Sequence, residues 1–264
     1  MEDIMSIAQQ LSTTAFTHTD LIIAAEKKEE KFCLKGVGSV SIVSYKGKEY
    51  AITCKHVTNG STLFFSGSGK GETNHFDEKA VLKCKNMELL LSSEQYDIAI
   101  FSGYNQVPLT KKTFYPLEKS DLITFSKLSK EIGTLCSFTG VWAKYTQQGP
   151  WNDLMYFDTC YVSAFSGIQE VRDDEIVADF AAKDILNKRI DVFPKLKEVE
   201  ANGGTLNFRG CSGCGLWVSP PIPSDPRAAV LIGILLGRIE CDTKTQHLIH
   251  FTPIWKVKEL LDSL

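Results

Sequence analysis

Three short stretches hold residue types whose combination could do chemistry. "FRGCSGCGLW" (208–217) sets Ser212 among Gly210, Gly213 and Gly215 and brackets it with Cys211 and Cys214. Glycines let neighbouring backbone N–H groups converge on one point, which a developing oxyanion requires. "YAITCKHVTNG" places His56 where the chain leaves an apolar run, and "QYDIAIF" places Asp97 at the head of another. Taken singly, each has an ordinary reading: a surface histidine, a strand-end aspartate, a glycine-rich turn. A carboxylate drawn inside is costly unless it is paired or hydrogen-bonded. Taken together, the three supply a nucleophile, a base to accept its proton and a carboxylate to orient that base.

The two cysteines beside Ser212 offer a competing chemistry. Structural zinc usually takes four ligands, often as two close pairs. The available second pair is His247 and His250, and a Cys211/Cys214/His247/His250 site is disfavoured. A redox dithiol needs a βαβ setting that this region lacks. Buried cysteine acting as a small apolar residue is the common case. The expectation is therefore no metal and no cofactor, with the cysteines incidental to the serine.

The elements that must position these residues are mostly strands. "GVGSVSIVSYKGKEYAITC" (36–54) holds two β-rich runs joined by a turn at Gly47. Further short strands are expected at 79–84, 87–91, 97–101, 134–145, 154–165, 214–219, 229–236 and 247–252, with a connector over about 103–130. Many short strands separated by turn signals predict an all-β sandwich or barrel, and the central connector predicts two halves. Between 173 and 201, Ile176, Phe180, Ile185 and Ile190 stand at roughly helical spacing among charges, which predicts an inserted helix. "PIWKVKELLDSL" predicts a terminal amphipathic helix using Ile254, Val257, Leu260 and Leu261.

Bulk properties narrow the function classes. The net charge of −3 offers no broad electrostatic attraction to nucleic acid or an anionic membrane. No apolar run reaches the length of a membrane span. The first residues, "MEDIMSIAQQLSTTAF", lack a basic region followed by an apolar core, so no secretory signal is read. The eight cysteines then read as reduced thiols, and a cytoplasmic location is expected.

The order His56, Asp97, Ser212 is that of the chymotrypsin-type triad. The surroundings also resemble that family. "GVGSVSIV…YAITCKHV" is similar to its opening strand pair and histidine signature, and "YDIAIF" to its aspartate strand. "RGCSGCGLWV" is similar to its serine turn, "VLIGILLG" to a later strand ending in glycine, and "IHFTPIWKVKELL" to its last strand and C-terminal helix. The resemblance spans about 33–263 and is to chymotrypsin-like (trypsin-like) serine peptidases. It is closer to the bacterial high-temperature-requirement type or viral relatives than to digestive enzymes.

The resemblance implies an all-β fold of two six-stranded antiparallel barrels, with a C-terminal helix and a helical insertion. Residues 1–32 would be an N-terminal extension, 33–115 the first barrel with His56 and Asp97, and 116–264 the second barrel with Ser212. The insertion would cover about 166–205. It further implies a serine endopeptidase with catalytic His56, Asp97 and Ser212. The backbone N–H groups of Gly210 and Ser212 would form the oxyanion hole. Leu206, Leu236 and Gly237 would bind an extended protein or peptide substrate, and a regulatory partner would dock on the insertion. Leu206 at the base of the primary pocket disfavours a Lys or Arg preference and favours a medium apolar side chain.

Departures from the family pattern matter. Cys211 stands where zymogens of the family carry an aspartate, so activation by propeptide cleavage is not expected. Val57 replaces a disulfide cysteine. Cys214 replaces a glycine and brings a β-carbon close to the hole. The alternative function is a catalytically silent module of the same fold that docks a protein partner. The intact triad argues against it.

Overall fold

The computed structural model describes residues 2–28, 31–58, 62–65, 74–76, 88–103, 112–130, 135–141, 147–148, 155–158, 161–181, 208, 210–219, 229–243 and 246–264. Helix α1 (Glu2–Thr17) comes first, followed by β1 (Thr19–Lys28), β2 (Lys31–Tyr45) and β3 (Lys48–Cys54). The single turn α2 (Lys55–Thr58) follows β3 directly. Next come β4 (Thr62–Phe65), β5 (Asn74–Phe76), β6 (Glu88–Ser93), β7 (Ile98–Ser102) and β8 (Tyr115–Pro116). The second half holds β9 (Leu135–Val141), β10 (Gln147–Gln148), β11 (Met155–Asp158), β12 (Tyr161–Val171) and β13 (Ile176–Ala181). It ends with β14 (Gly215–Val218), β15 (Val230–Thr243), β16 (Gln246–Pro253) and a C-terminal helix, Ile254–Asp262.

The protein is mostly β, and its second half closes into a six-stranded antiparallel barrel in the order β12-β13-β16-β15-β14-β9. The first half forms a seven-stranded sheet, β4-β1-β2-β3-β7-β6, with β8 added alongside β2. Among the described residues it is a sheet and not a second closed barrel. The expected hairpin at Gly47 is present: Tyr45 pairs with Lys48 across a two-residue loop. Lys46 (φ 49°) and Gly47 (φ 75°) both have positive φ, the geometry whose twist matches the flanking strands.

Two expectations are corrected. The helix expected over 173–201 is a strand where the structure describes it. β13 pairs with β12 on one side and with β16 on the other, and its Ile176 and Ala178 are fully buried in the barrel core. A spacing of four residues, as between Ile176 and Phe180, is a multiple of the strand period of two as well as close to a helical turn. The pairing edges of β12 and β16 decide for the strand. The rest of that expected insertion, 182–205, lies outside the described residues, as does the strand expected at 79–84.

The sheet also starts earlier than residue 33. β1 runs antiparallel to β2 from Thr19 opposite Ser41 to Lys28 opposite Lys31. Helix α1 buries Leu11 and Ala15 in a cluster shared with Ile52 and Ile98 of the sheet, Trp217 of the barrel, and Val257 and Leu261 of the C-terminal helix. Burial of that kind contributes roughly 25 cal/mol per Å² of apolar area. Helix α1 and strand β1 are thus built into the fold. Among the described residues, no helix is long and apolar enough to cross a membrane.

Candidate active site

His56 lies on α2, immediately after β3 has run through the sheet with its last five residues buried. β7 pairs with β3, placing Ile98 opposite Cys54, so the residue before β7 meets the turn after β3. That residue is Asp97. Its backbone carbonyl accepts from Lys55 N–H (2.9 Å), and its Oδ1 accepts from His56 N–H (2.9 Å). Its Oδ2 lies 2.5 Å from His56 Nδ1. A carboxylate can only accept, so this contact places the ring hydrogen on Nδ1 and leaves Nε2 able to accept a proton. Asp97 adopts φ 49°, a left-handed conformation that aspartate tolerates better than most residues. Thr252 Oγ1 of β16 donates to the Tyr96 carbonyl (2.8 Å), which ties the Asp97 turn to the barrel.

Ser212 sits on the turn leading into β14. Gly210 (φ 94°) lies inside the turn closed by Cys211 N–H donating to Phe208 O at 3.0 Å. Positive φ costs glycine no steric penalty, so glycine is favoured there. Gly213 (φ 93°) is more tightly constrained still. A Cβ there would lie 2.2 Å from Ser39 O and 2.5 Å from Thr53 Oγ1.

The hydrogen bonds of this turn can be followed group by group. The Gly210 carbonyl accepts from Ser39 Oγ (2.8 Å), and that of Cys211 from Cys214 N–H (3.0 Å). The Ser212 carbonyl accepts from Ser39 N–H (2.9 Å), that of Gly213 from Ser41 Oγ (3.0 Å), and that of Cys214 from Leu235 N–H (2.8 Å). Gly213 N–H donates to Leu235 O (3.0 Å). The N–H groups of Cys211, Gly213 and Cys214 are therefore engaged. Among the described residues, no acceptor meets the N–H of Gly210 or of Ser212. Those are the two donors expected to hold an oxyanion.

The histidine and the serine approach each other across Gly237. A Cβ on Gly237 would stand 3.0 Å from His56 Nε2 and 3.2 Å from Ser212 Oγ, so both atoms line one small space. The Ser212 hydroxyl makes no hydrogen bond among the described residues. Contacts of this kind are often long before substrate binds and tighten in the complex. Leu236 is half-buried and Gly237 exposed, and both fall in the register shift between Leu235 and Ile239 of the β15–β16 ladder. Leu206 lies outside the described residues.

Cys211 and Cys214 are fully buried in the barrel core. Cys211 Sγ donates to Val141 O (3.4 Å) and packs against Gly140. Burial pushes the Cys214 thiol well above its ordinary range, with the nearby Cys211 and Cys54 adding to the effect. His250, once a candidate partner for these thiols, instead places Nδ1 2.8 Å from Glu175 Oε1.

Sequence reasoning passed over the residues that hold the turn. Ser39 is the hub: its Oγ donates to Gly210 O and accepts from Val141 N–H (2.8 Å), while its carbonyl accepts from Thr53 Oγ1 (2.7 Å). Ser41 lies two residues on. The alternation of serine with apolar residues in "SVSIVS" was the available signal, because one face of β2 carries the small hydroxyls that meet the serine turn. Cys54 was also missed. It is fully buried behind the His56–Asp97 pair, and its Sγ donates to Leu235 O (2.9 Å). Burial pushes this thiol well above its ordinary range, Asp97 adds to that, and backbone N–H groups of Gly213 and Gly237 oppose it.

No protein-family model matches this chain, and no curated protein matches it.

Proposed function

We propose that the protein is a serine endopeptidase of chymotrypsin-like architecture, in which the seven-stranded sheet takes the place of the first barrel. The observation that carries this reading is a coincidence of two independent parts. The sheet delivers an imidazole whose Nδ1 is held by a carboxylate, and the barrel delivers a serine whose turn leaves two N–H groups without an acceptor among the described residues. Ser212 Oγ attacks a peptide carbonyl as His56 Nε2 takes its proton. Asp97 keeps the ring in the required tautomer and stabilises the imidazolium that forms. The Gly210 and Ser212 N–H groups receive the oxyanion, where losing one donor typically costs on the order of 100- to 1000-fold in turnover. His56 then protonates the leaving amine, and water hydrolyses the acyl-enzyme by the same route.

Substrate lies extended beside Leu236 and Gly237, where β15 departs from its pairing with β16 and offers main-chain groups to a guest strand. The reading extends to an intracellular protein substrate with a medium apolar residue at the cleaved position. A fluorophosphonate probe tests it, because such a probe labels only an activated serine. Labelling should occur at Ser212 and vanish in Ser212→Ala and in His56→Ala. A pure, folded wild-type protein that stays unlabelled, with its substrate or partner proteins supplied from a cell extract, overturns the reading.

A further inference from the structure

Among the described residues, one group of three His, Cys, Asp or Glu side chains stands close enough to share an ion, and it is not the Cys211/Cys214 pair. It is Cys54, His56 and Asp97, whose donor atoms all lie within 4.8 Å of one another. The end of β3, the turn α2 and the residue before β7 meet there. Cys54 is fully buried, whereas the His56 and Asp97 side chains are 45% and 32% exposed. The cluster therefore has a closed floor made by sulfur and an open rim made by nitrogen and oxygen.

We propose that Cys54 Sγ, His56 Nδ1 and an Asp97 carboxylate oxygen form a binding site for a thiophilic divalent cation of the zinc type, and that occupancy silences the serine. One thiolate, one imidazole and one carboxylate with a fourth position left to water is a donor set that zinc accepts. Ligands about 2.0–2.3 Å from a zinc ion stand under about 4 Å apart, so small rotations close the site from its present spacing. Binding breaks the His56 Nδ1–Asp97 contact and the Cys54 Sγ–Leu235 O hydrogen bond. The thiol proton leaves to solvent, one per ion bound. The ring hydrogen moves from Nδ1 to Nε2, the nitrogen that must accept the Ser212 proton. The silencing rests on the peptidase reading, but the site itself does not.

Metal-free protein titrated with Cd²⁺ or Co²⁺ tests the site without any turnover. Wild type should develop a thiolate-to-metal charge-transfer absorption that saturates at one equivalent, and Ser212→Ala should do the same. Cys54→Ser should lose the band. Asp97→Asn, which leaves the buried sulfur in place, should weaken binding by more than the roughly 10- to 100-fold that loss of an outer contact costs. The ratio of fluorophosphonate labelling with and without Zn²⁺ should fall in wild type and stay near one in Cys54→Ser. No band in wild type, or a band that survives in Cys54→Ser, overturns the site. A band with no effect of Zn²⁺ on the labelling ratio overturns the silencing. Absence of labelling without metal bears only on the peptidase reading.

Discussion

Gly237 shows how much one residue can decide. Its φ is not in the left-handed region, so its backbone would accept alanine. The obstacle is the space ahead of it, where a Cβ would meet His56 Cε1 at 2.8 Å, His56 Nε2 at 3.0 Å and Ser212 Oγ at 3.2 Å. Gly237→Ala should therefore cut the rate of Ser212 labelling by at least about 10-fold while changing unfolding free energy by no more than about 0.5 kcal/mol, as for other surface substitutions. Urea melts run beside labelling kinetics check this. Full labelling in the variant would mean that Gly237 does not border the reacting atoms. At this scale the sequence was informative: His56, Asp97 and Ser212 were nameable from type, order and neighbours. Cys54 was not, because a cysteine ending an apolar strand looks like any small core residue until β7 brings Asp97 beside it.

At the scale of elements, β2 carries the serine turn on one face. Ser39 is fully buried and satisfies a carbonyl of the turn and an N–H of β9 with a single hydroxyl. Ser39→Ala leaves both groups without that partner, and an orphaned buried group costs roughly 1–3 kcal/mol. The variant should lose stability in that range or somewhat above it, and its labelling rate should fall because Gly210 is no longer tethered. A variant as stable and as reactive as wild type would show that the hydroxyl positions nothing. Element type was legible in the sequence where the period was unambiguous. The 36–54 hairpin follows from alternation plus a glycine turn. The Ile176–Phe180 spacing fits both a helix and a strand, so only the pairing edges of β12 and β16 could resolve it.

For the whole molecule, buried titratable groups give a pH signature. Burial raises the thiols of Cys54, Cys136 and Cys214, which stay neutral in the folded protein while the unfolded chain ionises them at ordinary thiol values. Above those values the folded state holds more protons than the unfolded state, so stability falls as pH rises. Lys112 acts in the opposite sense. It is almost fully buried, its Nζ donates to Phe16 O at the end of α1, and burial lowers it to about 8. Between about 8 and its ordinary value the unfolded chain holds the proton that the folded lysine has shed, so this group alone raises stability with pH. Three thiols outweigh one lysine. The urea midpoint should fall from about pH 8 to about pH 10, and fall more steeply in Lys112→Met. A midpoint that rises over this interval would mean the thiols are not neutral in the folded protein.

The sequence by itself determined a β-rich chain, the C-terminal helix, the turn at Gly47 and three residues with complementary chemistry. These rest on local period, turn residues and side-chain type, which a linear string records. Tertiary structure decided that the second half closes as a barrel while the first forms a sheet among the described residues, and that α1 and β1 belong to the body of the fold. It also decided that Cys211 and Cys214 are buried in the barrel core, that the Gly210 and Ser212 N–H groups meet no acceptor among the described residues, and that Cys54 stands with the histidine and the aspartate. Each of those outcomes depends on which distant edges pair and which faces are buried together, and residues far apart in the chain acquire those relations only on folding.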